Sequence, residues 1–141
     1  MYSLESFVLH KHLAKAAGPH LDFRVSIPNK DLLESFALPK GVVPKNPGEK
    51  VLAVQGSPHG RYWLHVENMD IPDGSYGAGK ITTVQRGKVE IEGWSKLHIT
   101  FIIRDTQTQE GFNGRYALIK FKGEKTHDRD NLWVLVKTKK Q

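Results

Sequence analysis

His20, Asp22 and Arg24 occupy alternate positions and carry the most concentrated chemistry in the chain. In an extended segment side chains alternate faces, so these three project to one side while Leu21, Phe23 and Val25 project to the other. A second histidine, His12, is separated from His20 by seven residues. If Ser6–His12 pairs with Leu21–Ile27 as a hairpin, with Leu13–Pro19 as the loop, His12 arrives beside His20. Two imidazoles and a carboxylate are a common donor set for Mn²⁺, Fe²⁺ or Zn²⁺. Arg24 lies one step beyond, where its planar fork can grip a phosphate oxygen. The competing reading is plain: alternating polar residues usually mark the wet face of a strand, and His-x-Asp alone is a weak motif.

The elements that would position these groups are short β-branched or aromatic runs broken by turn residues. Ser6–His12, Leu21–Ile27, Val51–Gln55, Tyr62–Val66, Lys80–Gln85, Lys88–Glu92, Lys96–Ile103, Gly114–Phe121 and Leu132–Thr138 read as strands. Ala-Gly-Pro at 17–19, Pro-Asn at 28–29, Pro-Lys-Asn-Pro-Gly at 44–48, Pro-Asp-Gly at 72–74 and Arg-Gly at 86–87 supply the reversals. The best helical stretch is Asp31–Ala37, halted by Pro39. The fold expected is all-β, a small closed or partly closed barrel of about eight strands with short flanking helical segments. With no linker, repeat or composition break, residues 1–141 read as one domain.

Composition narrows the chemistry. The chain has 141 residues, 21 Lys+Arg against 15 Asp+Glu, and no cysteine. A disulfide framework, a thiolate zinc site, an iron–sulfur cluster and a cysteine nucleophile are excluded. The net charge of +6 tilts towards a polyanionic partner such as nucleic acid. No apolar run approaches the roughly 20 residues of a membrane span, and the N-terminus lacks a signal-peptide pattern, so the expectation is a soluble, cytoplasmic protein without a membrane partner. Gly74-Ser-Tyr-Gly-Ala-Gly79-Lys80 nearly spells a phosphate-binding loop, but Ile81 replaces the required Ser/Thr and the next residues favour a strand. That segment reads as a hairpin turn, with Tyr76 facing the site. His10 shares a strand face with His12 and could support the metal ligands from behind, or simply be exposed. Trp63, Trp94 and Trp133 read as core residues by default; His65, His98 and His127 read as structural or surface residues.

Several motifs in fixed order carry a resemblance. They are Phe7-Val-Leu-His-Lys-His12, His20-Leu-Asp-Phe-Arg24, Leu33-Glu-Ser-Phe-Ala-Leu-Pro-Lys-Gly41, Leu52-Ala-Val54 and Ser57-Pro-His59. Ile71-Pro-Asp-Gly-Ser-Tyr-Gly-Ala-Gly79, Gly114-Arg-Tyr-Ala-Leu-Ile119 and Leu132-Trp-Val-Leu-Val-Lys137 follow. The series resembles the 3′-phosphoesterase domain of bacterial end-joining ligase D and its stand-alone relatives, from Phe7 to about Lys137. The resemblance implies a Mn²⁺-dependent β-barrel enzyme that removes a terminal 3′-ribonucleoside and then the 3′-phosphate from DNA. Its metal ligands fall on His12, His20 and Asp22, and its phosphate contacts on Arg24 and His59. Lys40 matches the lysine of its Pro-Lys-Gly motif, also an active-site residue. The implied substrate is a DNA or DNA/RNA 3′ end in primer–template form, healed for a ligase or polymerase.

Three departures stand out. The spacing from His12 to His20 is two residues longer than usual, and the chain begins only six residues before Phe7, where the family carries an arm with Arg, Asp and Glu. The resemblance therefore reaches the phosphatase step more fully than the ribonucleoside-removing step. The family's arginine near Val51 and its tyrosine after His-Pro have only Lys50, Arg61 and Tyr62 as stand-ins. In the expected chemistry His59 donates a hydrogen bond to phosphate or acts as general acid to the leaving 3′-oxygen, against a plain reading as a turn histidine. Lys11, Lys15, Lys45, Lys50, Arg61 and Arg86 could track DNA or be scattered solvated charges. The rival functions are a non-catalytic module that binds nucleic-acid ends on the same barrel and a metal-independent RNA-binding barrel.

Overall fold

A computed structural model describes residues 3–104, 110–121 and 131–138. Nine strands and one short 3₁₀ turn make up its regular structure: β1 (Ser3–Ala14), β2 (Gly18–Ser26), β3 (Leu33–Leu38), β4 (Lys50–Gln55), the turn η1 (Arg61–His65), β5 (Asn68–Ile71), β6 (Gly79–Trp94), β7 (His98–Ile103), β8 (Gly114–Lys120) and β9 (Leu132–Lys137). The sheet runs β1-β2-β3-β4-β9-β8-β7-β6, and β1 pairs back onto β6 to close an antiparallel barrel of eight strands. β5 is the extra strand, paired with the first residues of β6. The expected all-β barrel is therefore present. Among the described residues no helix is long and apolar enough to cross a membrane.

Alternation explains the core. Phe7 and Leu9 of β1, Leu21, Phe23 and Val25 of β2 and Phe36 and Leu38 of β3 point inward and join Phe101, Phe112, Tyr116 and Leu135. Gln85, also buried, accepts from the Phe112 N–H at 2.6 Å and donates to the Phe112 carbonyl at 3.0 Å, so a polar side chain satisfies backbone that the packing would otherwise orphan. The outer faces of β1, β2 and β3 are covered too. Val8, Leu33 and Leu64 form a second apolar cluster there, with Trp63 packed against it. Residues 59–79 thus lie over one wall of the barrel, and every residue from Leu21 to Ile27 is buried.

The structure departs from sequence expectation in several places, and β5 (Asn68–Ile71) is a strand that the pattern does not announce. Residues 31–37 do not form a helix: Leu33–Leu38 is β3, paired to β2 with Phe23 opposite Phe36. A helix this short is marginal alone, and the ladder with β2 supplies hydrogen bonds that it would lack. Tyr62–Val66 is not a strand; the Trp63 N–H bonds the Gly60 carbonyl and the Val66 N–H bonds the Trp63 carbonyl, tightening 61–65 into η1. Arg86-Gly87 is not a reversal, because β6 runs through it for 16 residues. Register shifts opposite Leu9/His10 and between Ile91 and Gly93 let that single strand bend around the barrel. The expected flanking helical segments reduce to η1.

Candidate active site

The β1–β2 register puts the predicted residues together. His12 pairs with His20, His10 with Asp22 and Val8 with Arg24, so His10, His12, His20, Asp22 and Arg24 share the outer face of one hairpin. The hairpin is tighter than expected, with Ala14 opposite Gly18. Residues 59–79 bury that face; Asp22 is 6% and Arg24 4% exposed, so this is no wet strand face.

Backbone carbonyls fix the ring nitrogens. His12 Nε2–H donates to the Gly77 carbonyl at 2.7 Å, and His20 Nδ1–H donates to the Gly18 carbonyl at 3.1 Å. The other nitrogens, His12 Nδ1 and His20 Nε2, each stand 3.2 Å from an Asp22 oxygen. In the neutral rings those nitrogens carry lone pairs, so lone pair faces carboxylate on both sides of Asp22. Only a cation between them makes that arrangement favourable, whether a proton or a metal ion. The hydrogen bond to Asp22 raises the His20 pKa against the opposing effect of burial. Burial pushes the Asp22 carboxyl up, but His20 and the Arg24 charge more than offset it and hold the acid below its usual range. One ligand atom from each of His12, His20 and Asp22 lies within 4.8 Å of the others. The 3.2 Å separations match neighbouring donors about 2.1 Å from one ion. Carbonyl-fixed tautomers are the usual outer support of histidine ligands. The residues present therefore fit a divalent transition metal.

Arg24 stands beside this cluster, with Nη2 3.6 Å from Asp22 Oδ2. Its Nη1–H donates to His10 Nδ1 at 2.9 Å, while His10 Nε2–H donates to the Val66 carbonyl at 3.1 Å. Burial, with the Arg24 charge adding to it, lowers the His10 pKa to about 4, so the ring is the neutral acceptor that Arg24 requires. The guanidinium carbon lies 4.6 Å from the centre of the Trp63 ring, a cation–π contact. Arg24 Nε is buried without a hydrogen-bond partner among the described residues, an orphan donor suited to an anionic oxygen.

His59 reaches the same aromatic ring, 5.3 Å from Trp63 edge to face. Its backbone is bridged to Leu33 at the start of β3, and its Nδ1–H donates to the Ser57 carbonyl at 2.9 Å. Burial lowers its pKa and the Arg24 charge reinforces the shift, leaving Nε2 as the unprotonated position at neutral pH. Lys40 is not drawn into the cluster; it is exposed in the turn after β3. Tyr76 is fully exposed rather than turned inward, although its neighbour Gly77 meets His12.

Sequence reasoning left Trp63 among the core residues, yet it touches His10, Arg24 and His59. No local pattern marks it, since the 3₁₀ turn that carries it folds back over a hairpin distant in sequence. Trp133 is buried as expected, while Trp94 is 44% exposed. His127 lies outside the described residues. Of the predicted DNA-tracking cations, Arg61 bonds the carbonyls of Lys30 and Asp31, Arg86 bonds Glu67 and the Leu64 carbonyl, and Lys15 pairs with Asp73 at 2.5 Å.

With this geometry in place, comparison decides the family. The sequence signature described as the DNA ligase D 3′-phosphoesterase domain matches residues 10–137. The chain belongs to that family. It is similar to the multifunctional non-homologous end joining protein LigD of Pseudomonas aeruginosa, 33% identical over 94% of this chain and 15% of that protein. The protein of the same name from Mycobacterium bovis is 32% identical over 85% of this chain and 15% of its own length. That from Mycolicibacterium smegmatis is 33% identical over 85% of this chain and 16% of its own length. As a member of the phosphoesterase family, the chain spans about one sixth or less of these relatives.

Proposed function

We propose that this family member is a metal-dependent 3′-phosphoesterase that heals DNA 3′ ends for end joining. It would remove a 3′-phosphate and, where present, a terminal ribonucleoside, leaving a hydroxyl for a ligase or polymerase. The observation that carries this reading is the convergence of His12 Nδ1, His20 Nε2 and the Asp22 carboxylate next to a buried arginine with an orphan N–H. A bound divalent ion, Mn²⁺ as the family resemblance implies, would supply Lewis-acid charge and an orienting point for water and phosphate.

The chain's own groups account for the rest. Arg24, locked by His10 on one side and Trp63 on its face, offers its remaining N–H groups to the phosphate oxygens without reorganising. His59, with Nδ1 tied to Ser57, presents only Nε2 outward. A phosphate dianion arriving beside it would favour its protonation, and Nε2–H would then pass the proton to the 3′-oxygen as the P–O bond breaks. Lys40 adds an exposed cation for the substrate backbone.

The test is phosphate release from a 3′-phosphorylated primer–template by the wild type and His20→Ala, with Mn²⁺ or EDTA. Release that needs Mn²⁺ and falls at least a hundredfold in the variant is expected. Release that survives both treatments overturns the metal reading. Tight end binding with no release favours the non-catalytic module instead. A substrate with one terminal ribonucleotide reads the diester step separately.

A further inference from the structure

The wall of the barrel farthest from the cluster is apolar on its outside. Counting round the closed sheet, β8 stands four strands from β2 in either direction. Val51 and Ala53 of β4, Trp133 and Leu135 of β9, and Tyr116 and Leu118 of β8 pack into the core, so the alternate residues point out. Register lines those residues up. Lys50, Val136, Ala117 and Thr100 form one row, and Leu52, Val134, Ile119 and His98 form the next. Val54 faces Leu132 in a third row, which Phe121 joins through its N–H bond to the Leu132 carbonyl. The solvent side of an antiparallel sheet is normally polar. Here Lys50 is the only lysine, arginine or carboxylate in the three rows, and Leu52, Ile119 and Phe121 are exposed. A contiguous apolar face of this kind marks an interaction surface.

The face is complementary to itself. Lys50 stands exposed at its β4 edge, without an ion-pair partner among the described residues. At the opposite edge, where β6 bulges beside Thr100, Glu92 lies 3.1 Å from Arg115 Nη2 with its side chain still 33% exposed. A second copy turned about an axis parallel to the strands, midway between β9 and β8, can be laid face to face on the first. Val134 then meets Ile119 of the second copy, and Val136 meets Ala117, large against small. The same rotation brings Lys50 over the edge that carries Glu92. A uniformly acidic or basic partner would match one edge only. Four strands about 4.8 Å apart and three rows about 6.8 Å deep give a face of roughly 20 Å by 20 Å. That is about half of the ~800 Å² per partner in a standard interface, so the association it supports is reversible rather than obligate.

We propose that the outer face of β4, β9 and β8 joins two copies of this chain in a reversible, two-fold symmetric dimer. The inference does not rest on the phosphoesterase reading. Each cluster lies on the far wall of its own barrel, so both stay open in the dimer and face away from each other.

Sedimentation velocity of the full chain tests this. The weight-average mass is expected to rise from monomer towards dimer between about 5 µM and about 500 µM, the range of a small interface. Ile119→Glu, at a side chain already 44% exposed, is expected to stay monomeric throughout. If that variant is unfolded, Leu52→Glu is read the same way. Lys50→Glu is expected to raise the dissociation constant roughly fivefold, and adding Glu92→Lys is expected to recover it, because the two edges then exchange signs. A purely structural role for either residue would not produce that recovery. Monomer at every concentration overturns the proposal and leaves the face to a different partner. Dimerisation of the folded Ile119→Glu variant at wild-type strength overturns it, and so does a double variant that associates no better than Lys50→Glu.

Discussion

At His10 a fully buried ring accepts a hydrogen bond from Arg24, which requires an unprotonated Nδ1. The folded-state pKa of about 4 lies below the ordinary 6.5, so the unfolded chain binds this proton more readily. The stabilisation is full above pH 6.5 and fades as pH falls towards 4. Urea unfolding at pH 7 and pH 4.5 should show the wild type losing about 2 kcal/mol more than His10→Gln, given 1.36 kcal/mol per pKa unit. An equal loss in the two proteins would show that His10 is not the group titrating. Trp63 carries a second residue-scale prediction. Removing the face on which Arg24 rests by Trp63→Ala should lower kcat/KM for a 3′-phosphorylated end roughly tenfold, and Trp63→Phe should recover most of it. Steady-state phosphate release measures both. The alternate spacing of His20, Asp22 and Arg24 was legible in the sequence because strand geometry is periodic. Trp63 was not, because its position depends on a 3₁₀ turn folding back over a distant hairpin.

One element links the chain's fold to the tautomer of a proposed ligand. The strap from Pro72 to Gly79 is held by the Lys15–Asp73 ion pair and by the Lys15 N–H bond to the Ala78 carbonyl, and its Gly77 carbonyl fixes His12. Gly79 has φ +142, and a Cβ there would stand 2.2 Å from the Leu13 carbonyl oxygen. Gly79→Ala should therefore lift the strap from β1 and free His12 to rotate. Mn²⁺ affinity by calorimetric titration is expected to drop 10- to 100-fold, the usual cost of losing support behind a metal ligand. Unchanged affinity would mean that Gly77 does not orient His12. Reading the strap as a hairpin turn rather than a phosphate loop was possible because Ile81 and the residues after it are strand formers. β3 was misjudged as helix because an isolated short segment carries too little pattern to show its partner. β6 looked like two strands because Arg86-Gly87 carries turn composition, and only pairing with β1 on one side and with β5 and β7 on the other reveals a continuous ladder.

Over the whole molecule the net charge of +6 is a poor map of where DNA would lie. Arg86, Arg104 and Arg115 are spent on Glu67, Glu90 and Glu92, and Lys30 on Glu34. A handful of phosphate contacts is then the expectation. Raising NaCl from 50 to 200 mM should lower kcat/KM on DNA roughly tenfold, the loss for about two released counterions. A flat salt profile would remove a polyanionic substrate from the argument. Composition made a basic, cysteine-free β domain legible; closure was not, since nothing local tells β1 to pair with β6. That seam has a consequence in time. Ser3 must meet Ile91, so a chain emerging from the ribosome makes His12, His20 and Asp22 early and then holds them without a wall until β6 has been synthesised. Pairing across so much sequence is the slow step of such topologies. During that interval the three donors sit on a bare hairpin, without Gly77 behind His12 or Trp63 beneath Arg24. If these donors hold a metal ion, as proposed, the choice among competing cations is completed only when β1 finds its late partner β6.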